Sequence, residues 1–321
     1  MKRRTFLKTL SASIATVLGT NYWEAVHAAV SDDTKRLVPR RLFKEDIQLS
    51  IIGFGGIVVV GQAQADANRE VAQSVDRGIN YFDVAPSYGK GEAEEKLGIA
   101  LQPYRDQAFL ACKTQKRDAT GARQELENSL KVLKTDHLDL YQLHAMSKME
   151  DIETVLGSSG ALETFAKAKQ EGKIRFLGFS AHNEDVALRL LDEFPFDSVL
   201  FPINYVCMAQ GQFGPRLLAK AKEKNVARLA LKALAYTRWA SKEEKLAQNP
   251  KCWYQPISDL DQARQALRFT LSEDVTAAIP PGDEQVYRIA ETLATQFVPL
   301  SPDERAALLA SSKDVTPIFR A

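Results

Sequence analysis

From about residue 45 onward, short apolar or β-branched runs alternate with stretches whose apolar positions recur every three or four residues. LSIIGFGGI (49–57), INYFDVA (79–85), AFLACKT (108–114) and HLDLYQLH (137–144) read as strands. KIRFLGFS (173–180), DSVLFPIN (197–204), VARLALKA (226–233) and VTAAIP (275–280) continue the series. Between them lie amphipathic segments such as ADANREVAQSVDRG, ATGARQELENSLKVLKTD and ALETFAKAKQEGK. In the second, Leu126, Leu130 and Leu133 recur at helical spacing while the charges face outward. Strands alternating with helices predict a parallel sheet. Eight of them are enough to close an α/β (β/α)8 TIM barrel of about 250 residues. A doubly wound open sheet is the alternative, but no GxGxxG opens the first strand–helix turn.

The N-terminus breaks the pattern. MKRRTFLKTLSASIATVLG pairs two arginines with a short, weakly apolar run, and small residues follow at Ala28 and Ala29. A basic start, a short apolar stretch and a small-residue exit describe a signal peptide rather than a membrane span. RRTFLK resembles a twin-arginine (Tat) export signal. The reading is a cleaved leader over residues 1–29, a single barrel domain over 30–321 and a periplasmic protein with the twin-arginine machinery as a partner. A disordered basic tail is the alternative. A folded-state export route would let such a protein carry a bound cofactor out with it.

Charge adds little: 42 basic residues against 41 acidic ones leave a formal net charge of +1. That gives no electrostatic case for nucleic acid or an anionic membrane. The three cysteines, Cys112, Cys207 and Cys252, form no CxxC or Cys/His cluster, so no metal is expected. Cys207 and Cys252 fall on loops, where an oxidising compartment would allow pairing, with two free thiols as the stronger reading. No long apolar run offers a stable membrane anchor, and the chain is expected to act as a monomer.

Polar residues concentrate at the C-terminal strand ends, where barrel enzymes build their sites. Asp83 ends the second strand, Tyr88 follows on its loop, Lys113 ends the third and His144 the fourth. Singly, each has a bland role: a helix cap, rim packing, a solvated lysine, a core histidine. Together they converge on one mouth. Lys113 follows Phe109–Cys112 without a turn signal, so its stem is buried and needs a partner, which Asp83 supplies. An ammonium nearby lowers a phenol pKa from its usual value near 10. Tyr88 can then exchange a proton while His144 orients a substrate oxygen, as carbonyl reduction requires. The hydride must come from a cofactor. Gly89-Lys90-Gly91 lacks the GxxxxGK[ST] spacing of a phosphate loop and reads as the turn that presents Tyr88. The long connection 236–256 carries Trp239, Trp253 and Tyr254 and offers an aromatic wall over the pocket, or a cap on a hydrophobic edge.

FDVAPSYGKGEAEEKLG, LACKT, SLKVLKTDHLDLYQLH and ALETFAKAKQEGKIRFLGFS, in that order, closely resemble the aldo-keto reductases. The resemblance covers most of residues 45–295. It implies a barrel that binds NADP(H), with NAD(H) as the alternative, and a catalytic set of Asp83, Tyr88, Lys113 and His144 with Tyr88 as general acid. It implies reduction of a small-molecule aldehyde or ketone. It places Ser180 at the nicotinamide amide, with Ala181 where the family carries asparagine and His182 or Asn183 as replacements. Asn204 fits the next segment, where Leu200 replaces a glutamine. Leu231 stands where an aromatic ring stacks on the nicotinamide, and Lys232 is placed to meet the pyrophosphate. Gly56, Gly282 and the following helix start, and Arg288 for a 2′-phosphate, complete the cofactor set. A non-catalytic regulatory protein on the same barrel is the second functional reading. An aldolase using Lys113 as a Schiff base is the third, disfavoured because such a lysine must be held neutral.

Overall fold

The computed structural model describes residues 36–321, so the leader and its cleavage site lie outside the described residues. The described chain begins with an antiparallel hairpin, β1 (Arg40–Lys44) and β2 (Ile47–Ser50). Seven parallel strands follow: β3 (Phe54–Gly55), β4 (Tyr81–Asp83), β5 (Phe109–Thr114), β6 (Leu138–Met146), β7 (Ile174–Ala181), β8 (Ser198–Pro202) and β9 (Ala227–Leu231). A second antiparallel hairpin, β10 (Ala235–Arg238) and β11 (Tyr254–Pro256), precedes the eighth parallel strand, β12 (Ala277–Ile279). The sheet runs β12-β9-β8-β7-β6-β5-β4-β3. A parallel bridge between Ile52 and Ala278 joins its two ends, so the sheet closes into a (β/α)8 barrel as predicted.

All eight expected strands are present, but the first is shorter than its apolar run. Residues 49–57 hold the end of β2, a break at Gly53 and only then the two-residue β3. Gly53 stands in that break, pressed so close to Tyr81 that a Cβ there would lie 2.5 Å from the ring. The β1–β2 hairpin plugs the N-terminal end of the barrel. Its Phe43 meets Phe109 at 5.1 Å and Phe176 at 5.3 Å, both edge-on, and Leu49 joins the same interior cluster. With that floor sealed by apolar packing, the polar groups are left to the opposite end.

The larger core lies between sheet and helices, and Cys112 belongs to it, on the side of its strand away from Lys113. All three cysteines are buried free thiols. Gly98 shows how tightly the outer layer fits. In the helix Glu92–Ala100, a Cβ there would sit 2.5 Å from the Val132 carbonyl oxygen, at the end of the helix Ala119–Val132. Gly98→Ala is therefore expected to destabilise the protein by about 1–3 kcal/mol. A lowered denaturant midpoint with an unchanged slope is the readout.

Candidate active site

Three successive strand ends build the cluster. Asp83 is the last residue of β4, and three left-handed residues, Gly89 (φ 61°), Lys90 (φ 58°) and Gly91 (φ 99°), form the turn that holds Tyr88. At Gly89 and Gly91 the missing side chain makes this backbone accessible. Lys113 on β5 is buried, and its ammonium forms an ion pair with Asp83, donates to the Val84 carbonyl at 3.2 Å and lies 3.3 Å from the Tyr88 hydroxyl. The other Asp83 oxygen accepts from Gln142 Nε2 at 3.1 Å and from the Tyr81 hydroxyl at 3.4 Å. Every polar atom around Lys113 thus serves to fix it beside the phenol.

His144 arrives from β6 through a bulge. The β6–β7 register shifts between Leu143 and Met146, and Ala145 takes a left-handed φ of 55°. Bulges re-aim side chains at such positions. The Ser180 hydroxyl accepts from Ala145 N at 2.8 Å, and Arg117 Nη2 donates to the His144 carbonyl at 2.8 Å, so both sides of the bulge are tied. The imidazole stands edge-on to the Tyr88 ring, 5.7 Å between centroids, and its Nδ1 has no hydrogen-bond partner.

The electrostatics assign protonation states. Burial, the largest single influence, would lower the Lys113 ammonium, yet Asp83 and Tyr88 together outweigh it and hold the pKa above the ordinary value. Tyr88 departs from the sequence expectation. Burial raises its pKa, the opposing pull of Lys113 does not overcome that, and Asp83 adds to the rise. The phenol is therefore neutral in the free site, holding the proton a general acid has to give. Burial, then Lys113 and the other neighbouring basic groups, push His144 down to about 2. Burial and Lys232 lower His182 to about 4. Both imidazoles stay neutral at physiological pH. An unfolded histidine takes up a proton near 6.5, which these folded ones refuse, so stability present above pH 6.5 is lost as pH falls below it. The unfolding midpoint should drop between pH 7 and pH 5, and His144→Gln should flatten that decline. An equal slope in the variant would place the acid sensitivity elsewhere.

A pocket opens beside Asp83 and Tyr88 and extends past Leu231 and Lys232 to Pro281 and Gly282. Lys251, Trp253 and Tyr254 from the connection after β10 roof it, so two of the three expected aromatics form its wall. Trp239 instead donates from Nε1 to the Cys252 carbonyl at 2.9 Å and braces that connection. Lys232, at a left-handed φ of 65°, sets its ammonium 5.0 Å from the Tyr254 ring centre and 5.8 Å from that of Trp253. Burial lowers it to about 8, and no carboxylate pairs with it among the described residues. A cation facing only ring faces fits an anionic ligand such as a pyrophosphate. Gly282 leans on Ile57, where a Cβ would come within 2.4 Å, so the turn lies flat along the pocket wall.

Other sequence-selected cofactor residues are placed differently. Gly56 faces the sheet–helix core, its missing Cβ within 2.9 Å of Val84, and Gly55 lines the pocket instead. Asn204 caps a helix by accepting from Cys207 N at 2.8 Å and donates to the Lys232 carbonyl at 3.2 Å, so it shapes the Lys232 turn. His182 stacks on Phe319 at 5.3 Å, and its Nε2 has no partner. Arg288 points to the helix Gln64–Asp76 rather than the pocket, held by Glu70 at 2.7 Å and Glu291 at 3.0 Å. The helix start after Gly282 is closed by its own cap, since Asp283 accepts from Gln285 N and Val286 N at 3.0 and 3.1 Å. Sequence reasoning missed Gln142, which alternation with His144 along YQLH would have exposed, and Phe319 at the far end of the chain.

The chain is similar to known proteins over most of its length. Over 304 residues the chain is 25% identical to the oxidoreductase YqkF of Bacillus subtilis, covering 85% of this chain and 96% of that protein. It is 26% identical over 313 residues to L-galactose dehydrogenase of Arabidopsis thaliana, covering 86% and 96%. The holo form of aldo-keto reductase AKR11C1 from Bacillus halodurans superposes with a TM-score of 0.67 at 24% identity, over 88% of this chain and all of that one. An aldo-keto reductase of Klebsiella pneumoniae, solved in complex with NADPH, gives a TM-score of 0.64 at 22% identity, over 89% and 97%. These structural likenesses carry the fold. The family model for the aldo/keto reductases matches residues 52–308. That span begins at the residue bridging the two edges of the sheet and ends in the helix Pro302–Ser311 beyond the last strand, and so the chain belongs to the aldo/keto reductase family.

Proposed function

We propose that this chain is an NAD(P)H-dependent oxidoreductase that reduces an aldehyde or ketone to an alcohol, with Tyr88 as the proton donor. The observation that carries the reading is the buried Lys113 ammonium, paired to Asp83 and 3.3 Å from the Tyr88 hydroxyl. A buried ion pair aimed at a phenol is costly to build and contributes little to stability on its own, which favours chemistry over a purely structural or regulatory role. In the site, Leu231 would lie against a nicotinamide, Ser180 and His182 would meet its amide and Lys232 its pyrophosphate. A bound reduced nicotinamide would supply the hydride. The chain's own part is the proton. Tyr88 Oη holds it, the substrate oxygen takes it as charge develops there, and the phenolate left behind faces the Lys113 ammonium. Asp83, held by Gln142 and Tyr81, keeps that ammonium in place. Neutral His144 can offer one ring N–H to the same substrate oxygen.

Titration of the purified protein with NADPH and NADH, followed by fluorescence, tests the reading, with a panel of aldehydes and ketones to follow. Saturable binding and carbonyl-dependent oxidation of the bound dinucleotide are expected. Failure to bind either dinucleotide overturns the proposal.

The leader RRTFLK supports export by the twin-arginine route, cleavage near Ala29 and a periplasmic location. Intact mass of the protein from the periplasmic fraction should show the first 29 or so residues removed. A cytoplasmic protein with its leader intact excludes that part of the proposal.

A further inference from the structure

We infer that the adenosine end of the pocket is built for a plain ribose as much as for a 2′-phosphorylated one, so the chain binds NADH about as tightly as NADPH. The inference rests on the dinucleotide reading above and concerns only its far end. A ligand with its reacting ring at Tyr88 and Leu231 and its phosphates at Lys232 has to leave the pocket past Gly282. There it passes between the start of the helix Glu284–Thr295 and the turn around Gln62, which are linked by a hydrogen bond from Gln62 Nε2 to Glu284 at 3.0 Å.

A phosphate monoester brings close to two negative charges and needs an uncommitted guanidinium, ammonium or helix N-terminus. Arg288 is the guanidinium of this helix, and it is spent elsewhere. Besides its ion pairs with Glu70 and Glu291, it donates from Nη2 to Gln73 Oε1 at 2.6 Å. Glu70 and Glu291 are both buried, so withdrawing Arg288 toward a ligand would strip buried carboxylates of their partner. Two of the first-turn amides, those of Gln285 and Val286, are taken by Asp283. Lys251 donates to the Val58 carbonyl at 2.8 Å and already lies in the field of Asp283 and Glu284. At this end the pocket lining therefore offers a phosphate Lys251, already bonded to a backbone carbonyl, with two carboxylates nearby.

It does offer something to a hydroxyl. Gln62 Oε1 is shielded from solvent and has no hydrogen-bond partner. The bond from Nε2 to the Glu284 carboxylate fixes which end of the amide is the oxygen. An unpartnered neutral acceptor suits a ribose hydroxyl donor and offers a phosphate nothing. Acidic groups serve this purpose at the ribose of other NAD sites.

Dissociation constants of NADH and NADPH, measured by fluorescence on the full-length protein at fixed ionic strength, test the inference. The two should agree within about threefold, where tenfold corresponds to about 1.4 kcal/mol. NADPH binding more than about threefold more tightly than NADH overturns it. Glu284→Lys should shift the ratio of the two constants about tenfold toward NADPH, and Arg288→Met should leave that ratio unmoved. A selective loss of NADPH affinity in Arg288→Met would return that residue to the phosphate and overturn the inference. Failure of both dinucleotides to bind removes the underlying reading, and this one with it.

Discussion

Tyr88→Phe should lower kcat by about 10²–10⁴-fold, the range that a positioned general acid contributes, while the dissociation constant of the dinucleotide stays within about twofold. The substitution removes one oxygen from a ring packed beside His144 and Lys113 and leaves the Asp83 ion pair intact. The fold and the pocket walls should therefore persist, so the loss falls on the proton-transfer step. The wild-type phenol lies above its usual pKa because burial outweighs Lys113. The acid form consequently dominates through neutral pH, and kcat should not decline with rising pH until well into the alkaline range. Steady-state rates across pH, set beside binding titrations of both proteins, separate the two effects. Turnover unchanged in the variant would remove Tyr88 as the donor.

Legibility in the sequence followed the range of the interactions. Asp83, Lys113 and His144 could be read because each closes a strand-like run, and strand ends in a barrel share one mouth. Their neighbours Gln142 and Tyr81 sit two residues away on the same strands, so alternation already placed them on the same face. The run 49–57 misled because hairpin strand and barrel strand are both apolar, so their boundary leaves no mark in hydropathy. Arg288 is a sharper case. Its spacing after Gly282 suits a phosphate contact, but its fate is decided by Glu70, more than two hundred residues earlier in the chain. Phe319 likewise carries no local signal. Its ring reaches His182, Phe213 and Trp253 only because the chain end is tied to the mouth, with Thr237 and Arg238 donating to the Thr316 and Ile318 carbonyls. Burial reversed the expected shift of Tyr88 for the same reason, since desolvation depends on everything that closes over a residue.

Lys113→Met should destabilise the protein by about 3–5 kcal/mol, because it leaves the Asp83 carboxylate buried without its countercharge. Gln142 and Tyr81 still donate to one oxygen, but the other loses its ion-pair partner. Turnover should also fall, since a phenolate formed at Tyr88 would face no cation. Asp83→Asn alone strands the ammonium and should destabilise by a similar amount. The combined Asp83→Asn/Lys113→Met variant removes both charges while keeping the groups that bond Gln142 and Tyr81. Its unfolding free energy should therefore lie closer to wild type than that of either single variant, a large coupling of the kind a double-mutant cycle isolates. All three variants should remain inactive. The folded Lys113 pKa lies above its ordinary 10.5, so the ion pair's contribution is fully present below that pH and fades only above it. Measurements at pH 7 thus report the whole term. Additive losses in the double variant would show that the two residues do not act as a pair, and regained activity would show that the pair does not serve Tyr88. Stability recovered without activity is the signature of a charge pair kept for chemistry rather than for folding.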